Sequence, residues 1–363
     1  GAPIRLTAAR LALPPTDAGP GAELTGSGEA SLRGAAWEAA LDLTATALPA
    51  AALDRSWPEG FEPRLRRAVL GAMPSGTLRG ARLGLSLRAP ETLGEVELVE
   101  ARAELHATDA VFDLGRDGRV AVAAAEASAS FRPDGLRLER LSVRLPGTAP
   151  GAVAGPTVTA RAGAERRGEG WSARVDVGVD AVRFADLGTY WPEGLAPNVR
   201  RWLVQNVTAG EARNGAWRIE AELPETLDAM RISKLSGRAE ASGATVHWLR
   251  PIPPVQGVAG VAEFSLDAVS LTARGGARQA RADTGGRGAI EVREANVRFV
   301  GLDAEPGNAD ISLQVSGPLA EKGRPKNVGL GISEMPFGPF VTSVQLSNTM
   351  RTISPNASVT MAR

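Results

Sequence analysis

The sequence predicts an all-β chain, mainly antiparallel with a few short helices, arranged as an elongated, twisted groove built from repeats. Three observations lead there. Apolar residues alternate with polar ones in steps of two, a long stretch recurs at a fixed distance, and aromatic residues make up only 4% of the 363 positions. Period-two alternation marks strands with one apolar face. Recurrence marks a duplicated structural unit. Large domains fill their centres partly with aromatic rings, so a thin aliphatic supply spread along the chain favours an extended structure.

The recurrence is explicit in the residues. Trp57 and Trp191 stand 134 positions apart (191 − 57), and at that offset Pro58, Glu59, Gly60, Pro63, Arg66 and Arg67 return as Pro192, Glu193, Gly194, Pro197, Arg200 and Arg201. Upstream, ALDLTATAL aligns with RVDVGVDAV; downstream, Pro90-Glu91-Thr92-Leu93 returns as Pro224-Glu225-Thr226-Leu227. The chain thus divides into leading strands of a truncated preceding unit (1–29), a first β-groove repeat (30–163), a second (164–320), and an atypical tail (321–363).

The strand signal is clean in three places. Leu83, Leu85 and Leu87 alternate with Arg82, Gly84, Ser86 and Arg88. Trp217, Ile219, Ala221 and Leu223 alternate with Arg218, Glu220 and Glu222, and Ile311, Leu313 and Val315 with Ser312 and Gln314. Such alternation belongs to antiparallel strands wetted on one side. Elsewhere the apolar steps run two, three, two: Leu136, Leu138, Leu141, Val143; Val177, Val179, Val182, Phe184; Phe264, Leu266, Val269, Leu271; Ile290, Val292, Ala295, Val297. A step of three keeps one face only if a bulge or tight turn absorbs the extra residue.

The helical signal sits in the repeated motif. Trp-Pro-Glu-Gly reads as a turn. Pro197 suits a first helical turn, with Val199, Trp202, Leu203 and Val207 following at helical spacing, so each unit should interrupt its strands with a helix of two or three turns. That helix would cap the apolar face with its tryptophan. The tail stretch EKGRPKNVGLGISEMPFGPF is too dense in Pro and Gly for regular structure and reads as loop.

Chemistry leaves few marks. Net charge is zero, which gives no electrostatic argument for nucleic acid, and cysteine is absent, which removes disulfides, thiolate metal sites and a cysteine nucleophile. No apolar run reaches the ~18 residues of a membrane helix, and the first residues lack a signal-peptide layout. His106 and His247 do not correspond in the repeat and show no metal-ligand spacing, so both read as strand-surface residues. Glu59 and Glu193 read as favouring a helix start, and the Arg66-Arg67 and Arg200-Arg201 pairs as a solvated helix face. The expectation is a non-enzyme with no metal and no cofactor.

What remains is the apolar face. Each exposed aliphatic side chain forgoes roughly 1.5–3 kcal/mol of burial, so the face must be covered by a second sheet, by curling, or by an apolar guest. Candidate groove residues are Leu83, Leu85, Leu87, Val175, Val177, Val179, Trp217, Ile219 and Leu223. Residues that pack the repeated motif are Trp57, Pro58, Gly60, Trp191, Pro192, Gly194 and Trp202. A trough of Leu, Val and Ala suits acyl chains; a sandwich sealed by its own side chains, acting as a scaffold, is the alternative.

The segment YWPEGLAPNVRRWL, followed by NGAWRIEAEL, resembles the central region of AsmA-like envelope proteins of the YhdP type. The resemblance covers most of residues 30–320; the first copy departs from it with Ser56 and Ala68 where the second has Tyr190 and Trp202. It implies a bridge-like lipid transfer protein: a hydrophobic β-groove in the periplasm of a Gram-negative bacterium, an inner-membrane anchor outside this segment, and phospholipid movement toward the outer membrane. Its implied partners are phospholipid acyl chains, the membrane through that anchor, and other envelope proteins.

Overall fold

The computed structural model describes residues 3–15, 21–56, 63–113, 115, 118–148, 155–194, 197–223, 231–247, 254–275, 277–278, 290–300, 307–316, 340–348 and 357–359. The fold is all-β and mainly antiparallel with a few short helices. The chain forms two compact units: Gly1–Val179 with Arg218–Ser233, and Asp180–Trp217 with Lys234–Arg363. The second sequence copy contributes to both.

In the first unit the chain meanders. Strands β1 (Ile4–Leu13), β2 (Ala22–Arg33) and β3 (Ala36–Pro49) lead into helices α1 (Ala50–Ser56) and α2 (Pro63–Ala72). After them come β4 (Ser75–Pro90), β5 (Glu97–Asp113), β6 (Arg119–Arg132), β7 (Gly135–Arg144), β8 (Thr157–Arg167) and β9 (Gly170–Arg183). From β1 to β8, each strand pairs antiparallel with the next. Two-residue turns suffice for such neighbours, and an even run of them makes a sheet without crossover connections. Helix α1 touches β3 and β4, and α2 touches β5.

Across the offset, β9 stands where β3 does. A 3-10 turn (Phe184–Asp186) with α3 (Leu187–Tyr190) then replaces α1, and α4 (Pro197–Asn206) replaces α2. Strands β10 (Val207–Leu223), β11 (Arg231–Val246) and β12 (Val255–Ser265) stand where β4, β5 and β6 do. The second unit continues with β13 (Ala268–Arg274), β14 (Ala277–Arg278), β15 (Ile290–Val300) and β16 (Gly307–Ser316), and the pairings from β11 to β16 are antiparallel. In the tail, β17 (Phe340–Asn348) runs parallel to β16 and β18 (Ala357–Val359) pairs with β17. Of the stretch read as loop, only Phe340 is described, and it opens β17.

Backbone detail repeats as well. Gly80 and Asn214 both take positive φ, at 63° and 53°, and so do Asp109 and Gly243, at 51° and 62°. In the first copy each sits at a register slip, Gly80 between Leu78 and Arg82 of β4, Asp109 opposite the slip between Ser75 and Thr77. These are bulges of the kind that place one residue in the left-handed region. Beside them, a Cβ on Gly76 would lie 2.6 Å from Ala110 Cβ, and one on Gly210 would lie 2.5 Å from Ala244 N. Both alanines are only 2% exposed, so the same close crossing is built twice.

Three of the four three-residue steps find their structures. In β7 the register slips between Leu138 and Leu141, and in β15 between Val292 and Glu294. Phe264 and Val269 face one another across the β12–β13 hairpin. The fourth step, Val179 to Val182, falls inside β9, which runs on to Arg183 before Phe184 opens the 3-10 turn.

Candidate functional site: an apolar sheet face

Register places the aliphatics in rows. In the first unit, Leu43, Leu83, Ala103, Ala129, Leu138, Ala162 and Val175 are successive cross-strand partners from β3 to β9. Beside them run Leu41, Leu85, Ala101, Phe131, Leu136 and Ala164. A third row links Ala107, Ala125, Val143, Val158 and Val179, and Val177 pairs with Ala160. Directly opposed side chains share one face of a pleated sheet, so these rows form one apolar surface.

The reverse face is ionic. Arg82 lies 3.5 Å from Glu104, Arg88 3.5 Å from Glu38, and Arg140 3.5 Å from Glu126. Arg132 and Arg102 both hold Glu100, at 3.0 and 3.1 Å, and the hydrogen bond from Arg132, reinforced by Arg102, keeps that carboxyl below its usual range. Arg218 donates to Asp176 at 2.6 Å and Arg174 to Glu220 at 3.3 Å. Those pairs fix Ile219 and Leu223 on the side away from Asp176.

Leu83, Leu85, Leu87, Val175, Val177, Val179, Ile219 and Leu223 are all half-buried. Leu6 and Leu136, on the same rows, are 46% and 44% exposed. Among the described residues of each unit, the extensive contacts between strands run between hydrogen-bonded neighbours. Among the described residues, more than half of the buried apolar ones are alanines, such as Ala45, Ala101 and Ala125. A sandwich core would bury Leu and Val fully between layers. Among the described residues no large side chain is fully buried.

The second unit carries an apolar face of its own, and here a helix lies on it. Helix α4 begins at Pro197, whose missing N–H is harmless in a first turn, and ends with Asn206 Nδ2 donating to Trp202 O at 2.9 Å. Its Trp202 and Leu203 pack on the buried cluster Val207, Ala244, Val255 and Val258. The Trp202 ring meets Phe299 at 5.4 Å between centroids, tilted by 59°. Its indole N–H is buried without an acceptor. Trp217 lies across Gly237, where a Cβ would fall 2.1 Å from its Cδ1, and packs against Phe264 at 5.7 Å.

The repeated motif has a structural role that the solvated-face reading missed. Arg200 Nε donates to Trp191 O and its Nη2 to Gly188 O, each at 2.8 Å. Arg66 Nη2 donates to Asp54 O at 3.4 Å and to the Asp54 carboxylate. Asp54 and Gly188 are equivalent in the repeat, so the first arginine of each pair ties its helix to the preceding segment. Arg67 and Arg201 are exposed, as that reading expected. Trp191 closes α3 by donating its N–H to Leu187 O at 2.9 Å; Pro192 follows it, and Gly194 lies with Glu193 in a turn. Trp57, Pro58, Glu59 and Gly60 lie outside the described residues. Glu193 is exposed in the turn before α4, whose first turn holds no acidic residue of its own.

The histidines are surface features. His106 Nδ1 lies 3.9 Å from Glu126 Oε1, with both side chains exposed, and His247 Nε2 lies 3.2 Å from Thr208 Oγ1. Among the described residues no group of three His, Cys, Asp or Glu side chains is placed to hold a metal, and no helix is long and apolar enough to cross a membrane. One signal for the missed packing was available in the copies themselves. The first copy opposes Leu83 to Ala103 where the second has Trp217 and Gly237, a large residue paired with a smaller one at conserved spacing. No family model, curated protein or solved structure matches the chain.

Proposed function

We propose that the chain is the groove-bearing segment of a non-enzymatic phospholipid conduit of the AsmA-like, YhdP type. In this reading it works in the periplasm, is anchored in the inner membrane by a part outside this segment, and serves transport to the outer membrane and envelope homeostasis. One observation carries the reading: rows of half-buried Leu and Val, with smaller Ala between them, stand in register on one face while the other face carries ion pairs. Acyl chains would lie on the rows and headgroups would stay wet.

The magnitudes suit passage. Covering the remaining exposed part of one half-buried aliphatic is worth about 0.5–1 kcal/mol at ~25 cal/mol per Å². An acyl chain touching some six to eight of them gains about 3–8 kcal/mol before the entropy of association is subtracted, which corresponds to millimolar-to-micromolar holding at best. Weak sites in series let a chain slide. The scaffold reading draws on one observation, the packing of Trp202 and Leu203 onto the second unit's apolar face.

Native mass spectrometry with lipid extraction tests the proposal. Copurifying phospholipid is expected, and its loss in a folded Leu85→Asp, Ile219→Asp double variant. A folded, lipid-free wild-type chain would favour the scaffold.

A further inference from the structure

We propose that the open edge of β1 is an interaction surface that takes a strand of the β6 pattern from another unit of this repeat. The inference goes beyond the conduit reading and stands without it.

The β1–β2 hairpin is the same object as β7–β8. Ile4–Ala30, Leu6–Gly28, Ala9–Gly26 and Leu11–Leu24 pair as Leu136–Ala164, Leu138–Ala162, Leu141–Ala160 and Val143–Val158 do. The register slips at the same point, between Leu6 and Ala9 and between Leu138 and Leu141. The ends agree as well, Leu13 with Ala22 in one and Leu145 with Pro156 in the other. Shared register and a shared bulge fix which face and which edge each strand presents.

β7 uses its second edge. It pairs there with β6, which sets Phe131, Ala129, Ala127 and Ala125 opposite Leu136, Leu138, Leu141 and Val143. With both neighbours present, Leu138, Leu141 and Val143 are half-buried. In β1 every residue from Ile4 to Ala12 is exposed, with Ile4 at 62%, Leu6 at 46% and Leu11 at 54%. An exposed strand edge carrying large aliphatics is a template for strand addition.

The equivalence also prescribes the occupant. It should be antiparallel to β1, with a large apolar residue opposite Ile4 and alanine-sized residues opposite Leu6, Ala9 and Leu11. A small polar residue should face Arg5, as Ser130 faces Arg137. Bulk there would collide with an arginine already paired to Glu29 at 3.1 Å. The β6 of a second folded copy cannot serve, because both its edges are taken, by β5 and β7, so the occupant is a β6-pattern strand whose second edge is left free for β1.

A graft tests this in the full chain. Gly1–Pro3 is replaced by a second copy of Arg119–Gly135, which brings β6 together with its own turn; a scrambled graft of equal composition is the control. Hydrogen exchange should slow at least tenfold for the amides of Ile4–Leu11 in the β6 graft alone, and its urea midpoint should rise. Equal exchange in the two grafts overturns the proposal. So does a dimeric unmodified chain that Leu6→Arg dissociates, since the edge would then belong to a second copy. Neither readout involves lipid, so failure here is separable from failure of the conduit.

Discussion

Replacing Trp217 and Gly237 by the first copy's residues should show the repeat's packing rule as a coupling energy. In Gly237→Ala the new Cβ falls 2.1 Å from Trp217 Cδ1 and 2.7 Å from its Nε1, whereas ordinary contact begins at 3.4 Å. The ring must retreat by more than about 1 Å, an overpacking that costs roughly 1–3 kcal/mol. Trp217→Leu alone relieves nothing. It gives up the tilted contact with Phe264, about 0.5–1.5 kcal/mol, and part of a half-buried ring surface. The two together recreate the Leu83–Ala103 pair of the first copy. With the ring gone, the alanine methyl fits, and a strand gains about 0.5–1 kcal/mol by losing its glycine. The double variant should therefore be no less stable than Trp217→Leu, with a coupling of about 1–3 kcal/mol between the sites. Urea unfolding followed by far-UV circular dichroism reads this without relying on tryptophan. Additive single effects would refute the packing argument.

Two further predictions concern stability. Gly210→Ala, which combines φ of 87° with a Cβ 2.5–2.6 Å from backbone atoms of Gly243 and Ala244, should lose about 2–5 kcal/mol, while Gly163→Ala, with open space around it, should stay within about 1 kcal/mol of wild type; equal urea midpoints would contradict the close crossing. For Glu100, whose folded carboxyl titrates below its ordinary value near 4.5, the pairing with Arg132 and Arg102 contributes stability above that value and loses it as pH falls through the lowered one. The advantage of wild type over Glu100→Gln should thus shrink in urea titrations from about pH 5 downward, and a gap independent of pH would show that the pair contributes nothing.

Much of this architecture was legible because strands and bulges write themselves locally. The step of three in Leu138–Leu141 and Val292–Ala295 marks a register slip, since only an absorbed residue keeps both flanks on one face. Pro197 marks the first turn of α4 for a similarly local reason. The ties of Arg200 were not legible, because their acceptors are backbone carbonyls nine and twelve residues away, and a carbonyl leaves no mark in the sequence. The alanine-rich interior was hidden for another reason. An alanine such as Ala103 stands opposite Leu83 across the β4–β5 pair, and that relation appears only once register is known. The ion-pair ladder shows as alternating charge, but which Arg meets which Glu depends on cross-strand register too.

The central claim, that acyl chains travel on one face of the first unit, is tested most directly by photo-crosslinking from both faces of one strand. A photoreactive residue is placed at Leu85, on the aliphatic row, or at Ser86, which pairs with Ala40 on the other side. In cells fed radiolabelled phosphate, position 85 should yield phospholipid adducts and position 86 none. Adducts from both positions equally, or from neither in a folded chain, would contradict the account.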